Sequence, residues 1–305
     1  MSAEEKGRSS VAITAGLVMV VIYSIQFIAG RYSLRDHLSP SDLTVLRFLG
    51  ASGVFATIWA IGGMRSPFAI GWRRAVVLTL MAGLPYPLVI NAGLSMAPAV
   101  HAAALCPAAI VWFSFLFSRA FVGEPGTPAK LIGITSIAIG LVAFAFGSIS
   151  LDSNIILGDL LFLSSGAMFS VYAVLVKRWE VDPLTAVSTT VFLSMPVLPL
   201  LFLTSVSGIG LASNAEILGQ ALIQGVLAGG LAFFLYTYVV AHLGAHSASL
   251  FMPSIPILTA VGGAFCLGEH LSVIQITAIG LVVGGMACSP AHELLKDRIK
   301  RRRWR

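Results

Sequence analysis

The chain has 305 residues, 57% of them hydrophobic and only 10% charged, with a mean hydropathy of +0.92. Soluble domains carry about 25% charged residues, so this composition excludes a water-soluble globular protein and implies an integral membrane protein. The net charge of +6 does not point to nucleic acid, because the basic residues sit mostly in loops and at the C-terminus, beside apolar runs.

Reading apolar runs between polar or Gly/Pro breaks predicts ten membrane helices. The first covers 11–31 and carries Tyr23 and Gln26. Its run is too long for a signal-peptide core, so it reads as a retained helix following a short segment, 1–10. The second, 42–62, contains Arg47, and the third, 73–95, holds Asn91 and the stretch "GLPYPLV", in which Pro85 and Pro87 flank Tyr86. The fourth, 98–118, carries His101, Pro107 and Trp112, and the fifth covers 129–147. The sixth, 158–178, contains Tyr172, and the seventh covers 184–204. The eighth, 217–240, contains Tyr236 and Tyr238. The ninth, 247–267, holds Pro253 and Pro256, the tenth covers 272–290, and a basic tail occupies 291–305.

Charge orients these spans. With the N-terminus inside, sixteen of the nineteen Lys and Arg fall on the inner side. Arg31 and Arg35 fall outside, and Arg47 lies within a span. This bias predicts cytoplasmic termini on both ends and an even number of helices.

A shift of 146 residues overlays "AVHAAALCPAAI" (Ala99 to Ile110) on "AHSASLFMPSIP" (Ala245 to Pro256). The same shift brings Ser24 onto Ser170, Gln26 onto Tyr172, Arg31 onto Lys177 and Pro107 onto Pro253. Each half, 11–147 and 148–290, holds five predicted helices. An odd number forces the second half to enter the membrane from the opposite side, which is an inverted-topology repeat. A proline in a helix interior frees a carbonyl and costs about 3 kcal/mol or more. In hydrocarbon such a break is tolerated where it lines a cavity or is packed in protein. Paired midplane breaks in inverted repeats mark the place where transporters bind substrate.

"SPSDLTVLRFLGA" entering helix 2, "NAGLSMAPAVHAAALCPA" across helices 3 and 4, "GDLLFLSSGAMFSVYAVLVKR" in helix 6 and "ASLFMPSIPILTAVGGAFCLGEHLS" in helix 9 resemble the EamA repeats of the drug/metabolite transporter superfamily. The resemblance spans roughly residues 10 to 290. It implies an all-α, ten-helix transporter of the inner membrane, built from two inverted five-helix repeats around a central cavity. That cavity would be lined by helices 1, 3, 4, 6, 8 and 9. Family members include exporters of amino acids and related metabolites. "GLPYPLV" carries more prolines than the family pattern leads one to expect, and after a small register change the repeat partner of Arg47 is an uncharged Thr190.

All thirteen acidic residues fall in tails, loops or the end turns of predicted spans. With no carboxylate near the midplane, a cationic substrate meets no counter-charge. Neutral, zwitterionic and anionic substrates fit better. Arg47 either snorkels or binds carbonyls, locking helices together, or it holds a substrate carboxylate. Gln26 and Asn91 are inter-helix glue or substrate contacts. His101 is a packed imidazole or a pH-sensitive group. Tyr86, Trp112, Tyr172 and Tyr236 are packing rings or the walls of a site for an amphipathic ligand. Pro85, Pro87, Pro107, Pro253 and Pro256 are the candidate hinges.

His242 and His246 have the i, i+4 spacing of a metal pair but no third ligand, and Cys106, Cys266 and Cys288 show no CxxC spacing. No metal or other cofactor is therefore expected. The expected partners are a small-molecule substrate and the bilayer, with proton coupling left open. The leading function is amino-acid export by alternating access. A carrier for another neutral or anionic metabolite, an intramembrane enzyme and a channel are the alternatives; no nucleophile, base and orienting group emerge at one depth to support the enzyme.

Overall fold

The computed structural model describes residues 3–62, 66, 69–94, 96–97, 99–123, 128–145, 153–267, 273–274, 276–282 and 284–285. Every regular element among them is helical. Seven helical stretches among the described residues are long and apolar enough to cross a membrane. This is a multi-pass membrane protein.

Helix α1 (Ala3–Asp36) begins earlier and ends later than the sequence suggests. A tight turn leads to α2 (Pro40–Ala60), whose start is written in the residues. Ser39 caps the helix, Pro40 occupies its first turn, and Asp42 returns a bond to the Ser39 N–H to close a capping box. Asp42 also accepts from the Ser207 hydroxyl at 2.6 Å and the Gly208 N–H at 2.9 Å. One buried carboxylate thus takes four hydrogen bonds and pins the head of α2 to a loop 165 residues further along the chain.

The third predicted span is two helices, α3 (Trp72–Ala82) and α4 (Pro85–Leu94). The break falls at Gly83–Leu84, just before the two prolines. The freed Leu84 N–H donates to Ser194 Oγ at 2.9 Å, so the interruption is satisfied by a neighbouring helix rather than left bare. Helix α5 (Ala99–Phe117) runs unbroken through Pro107 and ends in a π turn, Ser118–Val122. Then follow α6 (Pro128–Ala145), α7 (Ser153–Arg178), α8 (Pro183–Ser194) and α9 (Leu198–Thr204).

The eighth predicted span is α10 (Asn214–Gln220), a π-helical stretch (Ala221–Ala232) and α11 (Phe233–Leu243). The ninth is divided into α12 (Ala245–Ser249) and α13 (Ser254–Leu267), with Pro253 in the gap. Most of the tenth span's middle is described (276–282), but its ends and the tail 291–305 lie outside the described residues.

Glycines set the closest crossings. A Cβ on Gly225 would lie 2.6 Å from Gly50 Cα and 2.8 Å from the Leu46 carbonyl, so α2 and the π-helical stretch meet backbone to backbone. Small residues in such contacts are how membrane helices gain packing that lipid cannot supply. The largest buried cluster joins α1, α2, α7, α8 and α11 around Met19, Phe55, Tyr172 and Tyr236. A second, around Ile134, Ile137 and Phe162, sits between α5, α6 and α7.

Candidate functional site

A cavity of about 140 Å³ lies between α1, α2, α4, α5, α7 and the π-helical stretch. It runs from Tyr23, Tyr86 and Phe169 at one end to Leu34 and Leu43 at the other. Along α1, Tyr23 to Leu34 is about 16 Å at 1.5 Å per residue. The wall is mostly apolar and aromatic, and its polar side chains are few: Gln26, Thr44, Arg47 and Gln224 among them.

Arg47 projects into the cavity from α2, its stem packed against Gly229. Its guanidinium reaches the Tyr23 hydroxyl. Among the described residues no carboxylate pairs with it. Gln26 presents the opposite character: its Oε1 is buried and accepts no hydrogen bond among the described residues. Gln224 reaches α1 by donating to the Gln26 carbonyl at 3.4 Å. The cavity is therefore lined by a cation that has no carboxylate partner among the described residues and by Gln26, whose buried Oε1 accepts no hydrogen bond among them.

Of the residues singled out in the sequence, Tyr86, Gln26, Arg47, Pro87 and Pro107 line this space. Tyr236 and Tyr172 lie behind its floor, fully buried, with Phe169 in front of both. Trp112 packs against the second buried cluster, and His101 is buried against α7. The Asn91 side chain lies outside the described residues. Pro85 begins α4, while Pro253 and Pro256 flank Ile255, which lines the cavity.

Two sequence readings need correction. Helix α7 starts at Ser153, so Asp159 lies well inside it, and its Oδ1 meets His101 Nδ1 at 2.9 Å. A carboxylate inside a span therefore exists, with an imidazole as its partner and away from the cavity. The metal-pair spacing of His242 and His246 is also lost. Gly244, at φ +91°, ends α11 between them, so the two rings no longer share one helix face. Among the described residues no cluster of His, Cys, Asp and Glu could hold a metal ion.

Sequence reasoning passed over Phe169, Thr44 and Gln224. Phe169 and Thr44 give no signal among the apolar and small residues of their helices. Gln224 did: it is an amide within the apolar run "ALIQGVLAGG", and polar groups inside membrane spans are functional candidates by default.

The EamA-like transporter family matches residues 10–146 and again residues 156–289. The chain belongs to that family, and so to the drug/metabolite transporter superfamily. Two proteins of Archaeoglobus fulgidus, each described as an uncharacterized transporter, are similar to it. One is 26% identical over 88% of this chain and 94% of its own length. The other is 25% identical over 87% and 91%. A crystal structure of a further protein superposes with a TM-score of 0.72 at 23% identity, covering 92% of this chain and 96% of that one. This EamA-like protein is thus a membrane transporter rather than an enzyme, and its substrate is a small molecule.

Proposed function

We propose that this EamA-like transporter carries zwitterionic amino acids, as an exporter in the inner membrane, by alternating access of one site between two inverted five-helix repeats. The observation that carries the reading is the pairing of Arg47 and Gln26 in one apolar cavity. A substrate carboxylate would supply the anion that Arg47 lacks, in a charge-assisted bond. Its ammonium would supply the donor that Gln26 Oε1 lacks. The apolar side chain would lie on Tyr86 and Phe169, whose rings stack with centroids 5.0 Å apart. Buried polar groups that find partners only in a ligand reject analogues lacking those groups more strongly than apolar walls do.

Several packing relations support the repeat architecture. Helix α2 packs on the π-helical stretch as α8 packs on α3, and α1 packs on α11 as α7 packs on α4. The two family matches fall on the two proposed repeats, 11–147 and 148–290. The export direction and the cytoplasmic placement of both termini rest on the family resemblance and on the Lys and Arg bias.

The test is counterflow in proteoliposomes preloaded with unlabelled amino acids. Labelled apolar amino acids should accumulate, and competition should come from free zwitterions but not from their methyl esters or N-acetyl derivatives. Equal competition by the esters would remove the carboxylate, and with it the role of Arg47.

A further inference from the structure

Phe169 forms part of the cavity floor and is only 4% exposed. It stacks on Tyr86 above and on Tyr236 below, with centroid separations of 5.0 and 4.7 Å, and Tyr172 and Phe233 complete the column at 5.9 Å each. Beyond it the space between α7 and α11 is closed by side chains with almost no exposure, including Ala173, Val176 and Val240. That end of the bundle is where Lys177 Nζ donates to the Ala241 carbonyl at 2.6 Å. The column thus stands between the cavity and the Lys177 end, across the line a passenger must take.

The polar groups under this column are unusual. Tyr172 and Thr237 share a hydrogen bond of 3.0 Å, and Thr237 also bonds the Phe233 carbonyl at 2.9 Å. The Tyr236 hydroxyl is wholly buried and has no hydrogen-bond partner among the described residues. A buried polar group left unmade is costly, and packing alone would be served as well by phenylalanine. An independent relation concerns the same residues. At the 146-residue offset, Tyr23 falls on Phe169, Gln26 on Tyr172 and Ile90 on Tyr236. The cavity residues Gln26 and Ile90 of the first half thus correspond to Tyr172 and Tyr236, sealed under Phe169 in the second.

We infer that Phe169 plugs a second, presently closed polar subsite, in which Tyr236 and the Tyr172–Thr237 pair bind the substrate's charged groups after the plug moves. This rests on the reading of the cavity as the transport site. When α7 and α11 separate, the Tyr236 hydroxyl becomes the next partner for a passenger leaving Arg47 and Gln26. Its missing bond in the present state is then supplied in the other one.

Two variants, reconstituted as full-length protein, test this. Tyr236→Phe removes only the hydroxyl, so its melting temperature in detergent should equal or exceed that of the unmodified protein. Counterflow turnover should fall by about fivefold or more, the equivalent of one hydrogen bond, with the concentration for half-maximal uptake from the cavity side unchanged. Unchanged turnover would overturn the subsite.

Phe169→Ala should let labelled erythritol, a bystander without charged groups, pass into liposomes that the unmodified protein keeps closed. It should also abolish acceleration by substrate on the far side. Tight liposomes with normal acceleration would overturn the plug. If Phe169→Ala does not fold, Phe169→Leu, which keeps apolar bulk but no ring stack, is read in the same assays. The erythritol measurement needs no assumption about the substrate. Absent amino-acid counterflow with an intact erythritol result would therefore sink the zwitterion reading and leave the plug standing.

Discussion

Arg47 gives the sharpest quantitative prediction. Arg47→Gln keeps the Cβ and Cγ that pack against Gly229 and removes the guanidinium that reaches Tyr23. At 4 Å and an effective dielectric of 20, a unit charge pair is worth about 4 kcal/mol. Arg47 is half-buried and part of that is spent on desolvating the carboxylate, which leaves about 2–3 kcal/mol. Apparent affinity for an amino acid should therefore fall about 30- to 150-fold. Folding should be little affected, because no carboxylate among the described residues loses a partner. The assay is competition in counterflow, run as a cycle of protein variant against ligand. The carboxamide analogue should lose about the same factor on the unmodified protein. Its affinity for Arg47→Gln should then be no lower than its affinity for the unmodified protein. If instead the two losses multiply, Arg47 and the substrate carboxylate do not meet, and the assignment is wrong.

Two further outcomes probe the scaffold. Asp42→Ala strands four donors from Ser39, Ser207 and Gly208 and should cost about 2–4 kcal/mol, read as a lower melting temperature in detergent. Gly225→Ala forces a methyl group into the Gly50 backbone at the crossing beside the cavity and should cost about 1–3 kcal/mol. It should also impair transport, since Arg47 and Gln224 sit on the two helices that would be pushed apart; wild-type stability and rate would show that the crossing is looser than described.

The sequence made the membrane class and two of the cavity's polar side chains, Gln26 and Arg47, legible for simple reasons. Hydrocarbon demands long apolar runs, so helices announce themselves, and a charge such as Arg47 stands out against them. The apolar run started α2 at 42, two residues late, although the Ser39 cap and Pro40 that begin it are chemistry local to a few residues. What could not be read depends on contacts between distant segments. The π-helical stretch 221–232 lies where Gly225 meets α2, and nothing in its own composition distinguishes it from an α-helix. Asp159 was misplaced because the predicted span began at Gly158, whereas α7 starts at Ser153 and takes in Ile155, Ile156 and Leu157. Pro107 and Pro253 look equivalent in sequence, yet one lies in an unbroken helix and the other in a gap, because neighbouring helices decide whether a proline bends or breaks its own.

That last difference bears on mechanism. Two inverted repeats with identical internal conformations would leave the path equally open or equally shut on both faces, and no alternation could result. Under the proposed repeat architecture, the halves differ in backbone at the prolines it pairs and in side chains at the walls it pairs. Arg47 faces the cavity, while its partner Thr190 is buried and bonds its own helix at the Val187 carbonyl, 2.7 Å away. Gln26 keeps a free acceptor, while Tyr172 is satisfied by Thr237. If the halves exchange conformations during transport, the unbroken α5 should acquire a break near Pro107 as the gap at Pro253 straightens. Tyr23 and Tyr86 should then close over the cavity as Phe169 leaves Tyr236. On the proposed reading, a substrate held by Arg47 would oppose that exchange until its carboxylate found another donor, and the Tyr236 hydroxyl would supply one. The asymmetric charge would then set where the passenger waits, and the hidden hydroxyl when it can leave.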